Sequence, residues 1–541
     1  MVKGVRNMKK HDFYKHISVL ILFVILGFFA VGCSGEKADM EAGMDDQGES
    51  DKHAGHPQYG GILRIISTLE PVNLGYPPDI RQYQERLISK TALETLVRYD
   101  EESRLQPLLA ERWETDPDNK LITFYLKKDI QFHDGSPFNA EAVKWNLDQW
   151  RVSGKPVLNE DDTESIDVLD EYTVQIKLKK WSASALEVAG TINMISPVAY
   201  EEKGLEWIKD NPVGTGPYVF ESWEKGNVMK FKRNENYWME GKPYLDGVEW
   251  YFIPDSMTAE ASIMAEDFHV FVNTPVQVAK NLEQAGLDVV RLKTGMAASG
   301  VSLVPESANP NTPFANIKVR EALNYAINRQ EIVDSLYYGY HTATNQWAIP
   351  GTWLYNDEMT NWPYDPDKAR QLIKEAGYPN GFETNLSYRT SPENDRLFTS
   401  IQGYLSQVGI NVHLDPVDTG KFQQLSGPEG WDGLIGANFR VDADLPFHMN
   451  VFMGSKGYLY RDTYIPEELD AKLAEAQSAR SFEEKIQFTQ ELQKLAFEDY
   501  MLHINLFVSS MTTAKVPHVK DDGFNQTYAD SWTPEDVWLE K

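Results

Sequence analysis

Ile130-Gln131-Phe132-His133-Asp134-Gly135-Ser136-Pro137-Phe138 joins two stretches of different periodicity, and that junction decides the fold class. Before it, Leu121-Ile122-Thr123-Phe124-Tyr125-Leu126 is rich in the β-branched and aromatic residues that strands favour. After it, Asn139-Ala140-Glu141-Ala142-Val143-Lys144-Trp145-Asn146-Leu147 opens on a capping asparagine and repeats apolar residues at helical spacing. Asp134-Gly135 supplies the turn between them, because glycine tolerates the backbone angles required. The same mixture runs outward along the chain. Gly60–Ile66 reads as a strand after a glycine turn, and Tyr172–Leu178 alternates as a strand should. Val319 to Tyr337 reads as one helix, with Val319, Ala322, Leu323, Ala326, Ile327 and Ile332 on one face. Asp367 to Ala376 is a further helix, ended by Gly377 and Pro379, and Ile465 to Phe497 reads as one long helix. The chain is therefore α/β, with no internal repeat of solenoid period. About 485 residues follow Pro57, more than a single core accommodates, so two lobes are expected.

The first 32 residues read differently. Lys3, Arg6, Lys9, Lys10 and Lys15 precede an apolar run from Ile17 to Ala30, which is shorter than the ~20 residues that span a bilayer. Basic start, short apolar run and small residues at a cut are the parts of a secretory signal, assigned to residues 1–32. Ala30-Val31-Gly32-Cys33 resembles a bacterial lipobox, which implies cleavage before Cys33 and acylation of its thiol. Cys33 is the only cysteine, so no disulfide is expected. Residues 33–56 are acidic and rich in Gly and Ser, and read as a disordered tether. Met40, Met44, His53 and His56 lie there; they are metal-ligating residue types, but nothing in that stretch fixes a geometry, and they read as solvated linker. The expected location is the cell surface, by a lipid anchor on the outer face of the bacterial cytoplasmic membrane, or the periplasm.

The chain carries a formal charge of −29, and loss of five bases and one acid with the signal takes it to −33. Such a body repels nucleic acid and anionic headgroups, so no nucleic-acid partner is expected. Catalytic motifs are missing as well. His133-Asp134 is a possible catalytic pair, but no nucleophile lies near it in sequence and a turn histidine is the better reading. Gly214-Thr215-Gly216-Pro217 lacks the third glycine of a dinucleotide loop and reads as a tight turn into a strand at Tyr218–Phe220. There is no Gly-Lys-Ser/Thr phosphate loop, no zinc-protease His-Glu pair and no Gly-x-Ser-x-Gly elbow. Neither an enzyme nor a cofactor is expected.

A series of short blocks then carries a resemblance over almost the whole mature chain. They are Pro107-Leu108-Leu109-Ala110-Glu111-Arg112-Trp113-Glu114, the Ile130–Phe138 block and Val213-Gly214-Thr215-Gly216-Pro217-Tyr218. Arg233-Asn234-Glu235-Asn236-Tyr237-Trp238 and Lys242-Pro243-Tyr244-Leu245-Asp246 follow. Val319-Arg320-Glu321-Ala322-Leu323-Asn324-Tyr325-Ala326-Ile327-Asn328, Tyr364-Asp365-Pro366-Asp367-Lys368-Ala369 and Ala376-Gly377-Tyr378-Pro379 complete the order. In that order they resemble the family 5 extracellular solute-binding proteins of ABC importers, which include oligopeptide, dipeptide and nickel binders. The resemblance implies a two-lobed periplasmic-binding-protein type II fold, with an extra subdomain in lobe one and the ligand in the cleft between lobes. Lobe one is placed at 57–305 with a return at 505–541, its accessory subdomain at about 85–210, and lobe two at 306–504. Crossovers near Ser302–Ser307 and Ile504–Ser509 would form a hinge.

The resemblance also points to Asn438-Phe439-Arg440-Val441-Asp442-Ala443-Asp444-Leu445-Pro446-Phe447-His448 as the ligand loop. In peptide binders an aspartate of this loop meets the peptide α-ammonium. Asp442 falls at that position and Asp444 one step away, and a carboxylate in a closed cleft binds an ammonium by charge-assisted hydrogen bonds. Either aspartate could equally be a helix N-cap. In nickel-complex binders a histidine of this loop reaches the metal, and His448 falls there. Those relatives also hold an anionic chelator with first-lobe arginines, where this chain has Asp148 and Asn193. Arg440 could pair a ligand carboxylate or Asp442, and Trp431 could line the cleft or pack in the core. No resident metal is expected unless His448 meets a metal-chelate ligand. The expected function is that of a monomeric, lipid-anchored receptor that captures a small solute, first of all a short peptide, and delivers it to an ABC permease. A metal-chelate receptor of the same family, a peptide hydrolase, and a peptide sensor without transport are the alternatives.

Overall fold

Three sheets of four or more strands organise the described residues. In this computed structural model, which describes residues 56–292, 298–525, 532 and 534–541, the first sheet has seven strands. Their order is Asp288–Arg291, Thr512–Lys515, Val270–Phe271, Ile62–Ser67, Gly247–Phe252, Val228–Arg233 and Tyr218–Glu224. Ile62–Ser67 runs parallel to Gly247–Phe252, with Ile62 opposite Gly247. Leu63, Ile65, Trp250 and Phe271 are buried in its core. The second sheet has six strands, in the order Thr342–Ala343, Ile504–Val508, Ala298–Pro305, Leu434–Val441, Phe382–Arg389 and Ile410–Val417. Leu303, Leu323, Phe398 and Leu434 fill its core. A third, antiparallel sheet of four strands, Ala110–Asp116, Leu121–Leu126, Thr173–Leu178 and Thr163–Asp170, packs on its own cluster around Phe124, Phe138 and Ile176. The mixed α/β architecture and the two lobes expected from the sequence are both present, one lobe on each large sheet. The described residues from His56 onward belong to one compact unit.

The chain passes from the first sheet to the second between Arg291 and Ala298, and back between Val508 and Thr512. The boundaries expected at 305 and 504 fall at the ends of two strands, Ala298–Pro305 and Ile504–Val508, that both belong to the second sheet. The signal at 1–32, Cys33 and the tether lie outside the described residues, apart from exposed His56. Among the described residues no helix is long and apolar enough to cross a membrane.

Local chemistry explains most element ends. Asn139 Oδ1 accepts from the Ala142 amide at 3.0 Å and starts the helix Ala140–Val152. Asp365 caps Pro366–Glu375, which ends before Gly377, whose φ of 101° only glycine adopts without strain. Two expected helices are each two. Val319–Tyr337 divides into Ile317–Ala326 and Arg329–Tyr337, because Ile327 is extended and Asn328 caps the second helix through the Glu331 amide. The stretch 465–497 divides into Glu467–Gln477 and Phe482–Lys494, where Ser481 Oγ accepts from the Glu484 amide. The turn at Gly214–Pro217 feeds the strand Tyr218–Glu224 as read from sequence. Gly216 donates to the Ala92 carbonyl, and a Cβ there would lie 2.7 Å from that carbonyl group.

Candidate functional site

The strand Leu434–Val441 ends at the lobe junction, and the chain turns through Asp442-Ala443-Asp444 into the helix Leu445–Met453. Ala298–Pro305 holds the strand antiparallel, with Ala298 opposite Val441. Gly300 leaves room for the Phe439 ring, which a Cβ would meet at 2.0 Å, and Phe439 stacks on buried Trp347 at 4.5 Å between centroids. That packing fixes Phe439 inward. Alternation along the strand then turns Arg440 the other way, toward the junction.

Asp442 is buried and fully engaged. Its Oδ2 accepts from Arg440 Nε at 2.6 Å and lies 2.7 Å from His448 Nε2, and its Oδ1 accepts from the Asp444 amide at 3.1 Å. Burial alone would raise the Asp442 pKa, but the charges and hydrogen bonds of His448 and Arg440 hold it well below the usual carboxylate range. Burial likewise works against a charged His448, yet the Asp442 carboxylate wins and raises the imidazole above its ordinary value. Asp444 occupies the N-cap position of Leu445–Met453 but makes no capping bond. Its Oδ1 accepts from Ser184 Oγ at 2.8 Å, a residue of the other lobe. Burial, and then the neighbouring Glu187 carboxylate, push Asp444 up to about 6.

These four side chains line one wall of a cavity of about 380 Å³. The first lobe supplies the rest: Arg86 and Lys90 from the helix Tyr83–Ser89 and its end, Lys155 from the loop after Ala140–Val152, and Glu187 from Ala183–Thr191. Tyr99, Trp150, Val157 and Ile192 give apolar wall between these charges, as small-molecule sites require. Lys90 Nζ donates to Asn193 Oδ1 at 2.8 Å. Glu187 accepts from Tyr99 OH at 3.2 Å and pairs with buried Lys485 of the second lobe. Trp181 Nε1 donates to the Ala479 carbonyl at 3.1 Å, again from lobe to lobe.

The loop residues named from sequence thus come together, with Arg440 on Asp442 rather than alone. Trp431 does not join them: it packs with Val304, Ile435, Ala437 and Tyr460 beneath the second sheet. Asp148 is taken by Lys144 and Arg151, whereas Asn193 does line the cavity. His133 Nε2 bonds the Gly216 carbonyl at 2.9 Å, and burial lowers its pKa to about 4. Asp134 accepts from Ser136 and Ser196. The pair is a buttress for the Gly214–Pro217 turn. Among the described residues no group of three or more metal-ligating side chains could hold an ion. Sequence reading missed Arg86, Lys90, Lys155, Glu187 and Lys485. Each stands in an ordinary helical or loop context, and only the meeting of distant segments makes them a site.

Two charged lobes closing on a small cavity define a solute receptor. The chain belongs to the bacterial extracellular solute-binding proteins of family 5, whose middle-region model matches residues 104–459. It is thus a solute-binding protein of ABC importers. Among its relatives is the glutathione-binding protein GsiB of Salmonella choleraesuis (strain SC-B67), 31% identical over 448 residues that cover 78% of this chain and 84% of the relative. Among solved structures, HbpA2 from Haemophilus parasuis matches with a TM-score of 0.78 at 21% identity, over 89% of this chain and all of the other. The periplasmic binding protein DppA from Helicobacter pylori, in complex with peptide STSA, matches with a TM-score of 0.69 at 23% identity, over 90% and 99%. At those identities the two structures establish the fold.

Proposed function

We propose that this receptor captures a short peptide of about two or three residues, holds it without chemical change and passes it to an ABC permease. One observation carries the reading: the cavity between the lobes, about 380 Å³ in volume, has charges of both signs on its walls. That volume is at the small end of the ~300–1,000 Å³ usual for ligand sites, so it suits a compact zwitterion better than a long peptide. A glutathione-binding relative supports the same size class. In this reading Asp444 takes the ligand ammonium. Asp442 already serves Arg440, His448 and the Asp444 amide, whereas Asp444 accepts from the Ser184 hydroxyl and, with Lys485 nearby, still has a raised pKa that a ligand cation would lower. His448 Nε2 is committed to Asp442, which favours the peptide over a metal chelate. His133 faces a backbone carbonyl, which favours binding without turnover. Acylated Cys33 would hold the protein at the membrane.

Calorimetry with glutathione, tripeptides, their N-acetylated forms, a nonapeptide and nickel with histidine tests the reading. Tripeptides should bind and be recovered intact, and N-acetylation should weaken them. Asp444→Asn should cost roughly 30-fold or more, as for loss of one partner of a buried charged pair. Tight nickel–histidine binding that His448→Ala destroys and Asp444→Asn spares would replace the peptide with a chelate.

A further inference from the structure

The loop after the helix Ala140–Val152 carries two branched residues in the left-handed region, Val157 at φ 65° and Leu158 at φ 60°. Glycine and asparagine take such angles readily, whereas a β-branched side chain there is strained. Neighbouring contacts hold the strained turn. Leu158 is buried in the cluster of the third sheet, and Trp150 Nε1 donates to the Val157 carbonyl at 3.1 Å. Strain of this kind collects where a site must be shaped. What valine adds at 157 is apolar surface: it packs on the same cluster and lines the cavity between the lobes. Trp150 lines the cavity with it, and because its indole N–H is used by Val157 the ring has only carbon to offer. Val188 and Ile192, four residues apart along Ala183–Thr191 and its end, belong with the same cluster and extend the wall. Charged groups around it are engaged with one another or with amides, Asp442 with Arg440 and His448, Glu187 with Lys485, and Lys90 with Asn193.

On the peptide reading above, we infer that Trp150, Val157, Val188 and Ile192 form an apolar subsite that takes an aliphatic side chain of the bound peptide, of about leucine size. A peptide held by its ammonium at Asp444, on the second lobe, places that side chain against this first-lobe wall, so both lobes hold one ligand. Burial of the side chain then favours the closed form, since a ligand shifts the lobes only by binding one arrangement better. A polar side chain of the same size loses its water there and finds carbon in exchange. The left-handed turn at 157–158 sets where the wall stands, and Trp150 positions it through the Val157 carbonyl.

The test is calorimetry on the full-length protein with Ala-Ala-Ala, the three tripeptides that carry one Leu among Ala, and their Asn counterparts, on wild type, Val157→Asn and Val188→Thr. Asparagine accepts a positive φ better than valine does, so Val157→Asn keeps the turn and should melt near the wild-type temperature. In wild type, Leu at one position at least should bind about tenfold or more tightly than Asn at the same position, the worth of burying a leucine side chain. Val157→Asn should remove most of that preference while leaving Ala-Ala-Ala affinity near wild type. If Val157→Asn fails to fold, Val188→Thr, which exchanges a methyl for a hydroxyl at constant size, decides by the same comparison. Equal binding of Leu and Asn peptides at all three positions, or a leucine preference that survives the variant, overturns the apolar subsite and leaves the peptide reading intact. The separating probe is 4-methylpentanoate, which has the leucine side chain and a carboxylate but no ammonium and no peptide bond. If it binds, no peptide does, and the variant weakens it, the subsite stands and the peptide reading falls. No binding of any of these ligands counts against both.

Discussion

Asp442 shows how one buried carboxylate can organise the charged side chains around it. Two cationic side chains converge on a single oxygen, and the carboxylate is buried between them. Asp442→Ala would take from buried His448 the carboxylate it faces, and breaking a buried pair this way costs ~3–5 kcal/mol. The pH dependence follows from the directions of the shifts. His448 is raised in the folded state, so its contribution is complete below its unfolded value of about 6.5 and is lost as pH rises through the folded value. Asp442 is lowered, so its contribution is complete above about 3.9 and is lost as pH falls toward the folded value. The cluster therefore stabilises most between about pH 4 and 6.5. Melting curves across pH should show His448→Ala flattening the alkaline decline, with the acid limb retained through Arg440. An alkaline decline as steep in His448→Ala as in wild type would remove His448 from this role.

At the scale of elements, the helix Ala183–Thr191 is one part of the first lobe that reaches across. Ser184 bonds Asp444, Glu187 pairs with Lys485 on the helix Phe482–Lys494, and Trp181 just before the helix bonds Ala479. A buried ion pair between moving parts adds little net stability against water, but it fixes which closed geometry is reached. Parting of the lobes would hydrate Glu187 and Lys485, so closure would have to desolvate them. Lys485→Met leaves Glu187 beside Asp444 without its cation, and closure becomes less favourable. Apparent ligand affinity should fall by roughly tenfold, because only the closed fraction binds tightly. The double variant Glu187→Leu/Lys485→Met removes both charges and should recover most of that loss. Calorimetry on the two variants decides: unchanged affinity in Lys485→Met would mean that the pair has no part in closure.

For the whole molecule, two strand-to-strand passages, between Arg291 and Ala298 and between Val508 and Thr512, join the lobes. Separate cores under the two large sheets are what rigid-body closure of one lobe on the other would need. Small-angle scattering should give a smaller radius of gyration with a tightly bound peptide than without, and an unchanged radius would mean a preclosed cleft. On the proposed anchoring, acylated Cys33 would attach the strongly negative body to the membrane. Cys33→Ser should move the protein from the membrane fraction to the soluble fraction. Two acyl chains hold stably where one holds only marginally, so incomplete acylation should appear as partial release. Wild-type protein found wholly soluble, with an unmodified residue upstream of Cys33 at its N-terminus, would end the anchor reading.

Much of this was written locally in the chain. The strand Leu121–Leu126 and the asparagine-capped helix after it are set by period and cap alone, and so is the helix ended by Gly377. The two helix breaks were legible too: Asn328 with Glu331, and Ser481 with Glu484, are capping pairs inside longer apolar patterns, and periodicity masked them. The loop 438–448 could be placed from the order of motifs. What the sequence could not determine was which charges meet. That Trp431 is core, that Lys155 and Glu187 face one cavity, and that Glu187 pairs with Lys485 depend on side chains far apart in the chain. Their pairing follows from how two sheets and a bridging helix pack. Local propensity fixes elements because it acts over a few residues; electrostatics at a lobe junction acts through space, and only the tertiary structure decides it.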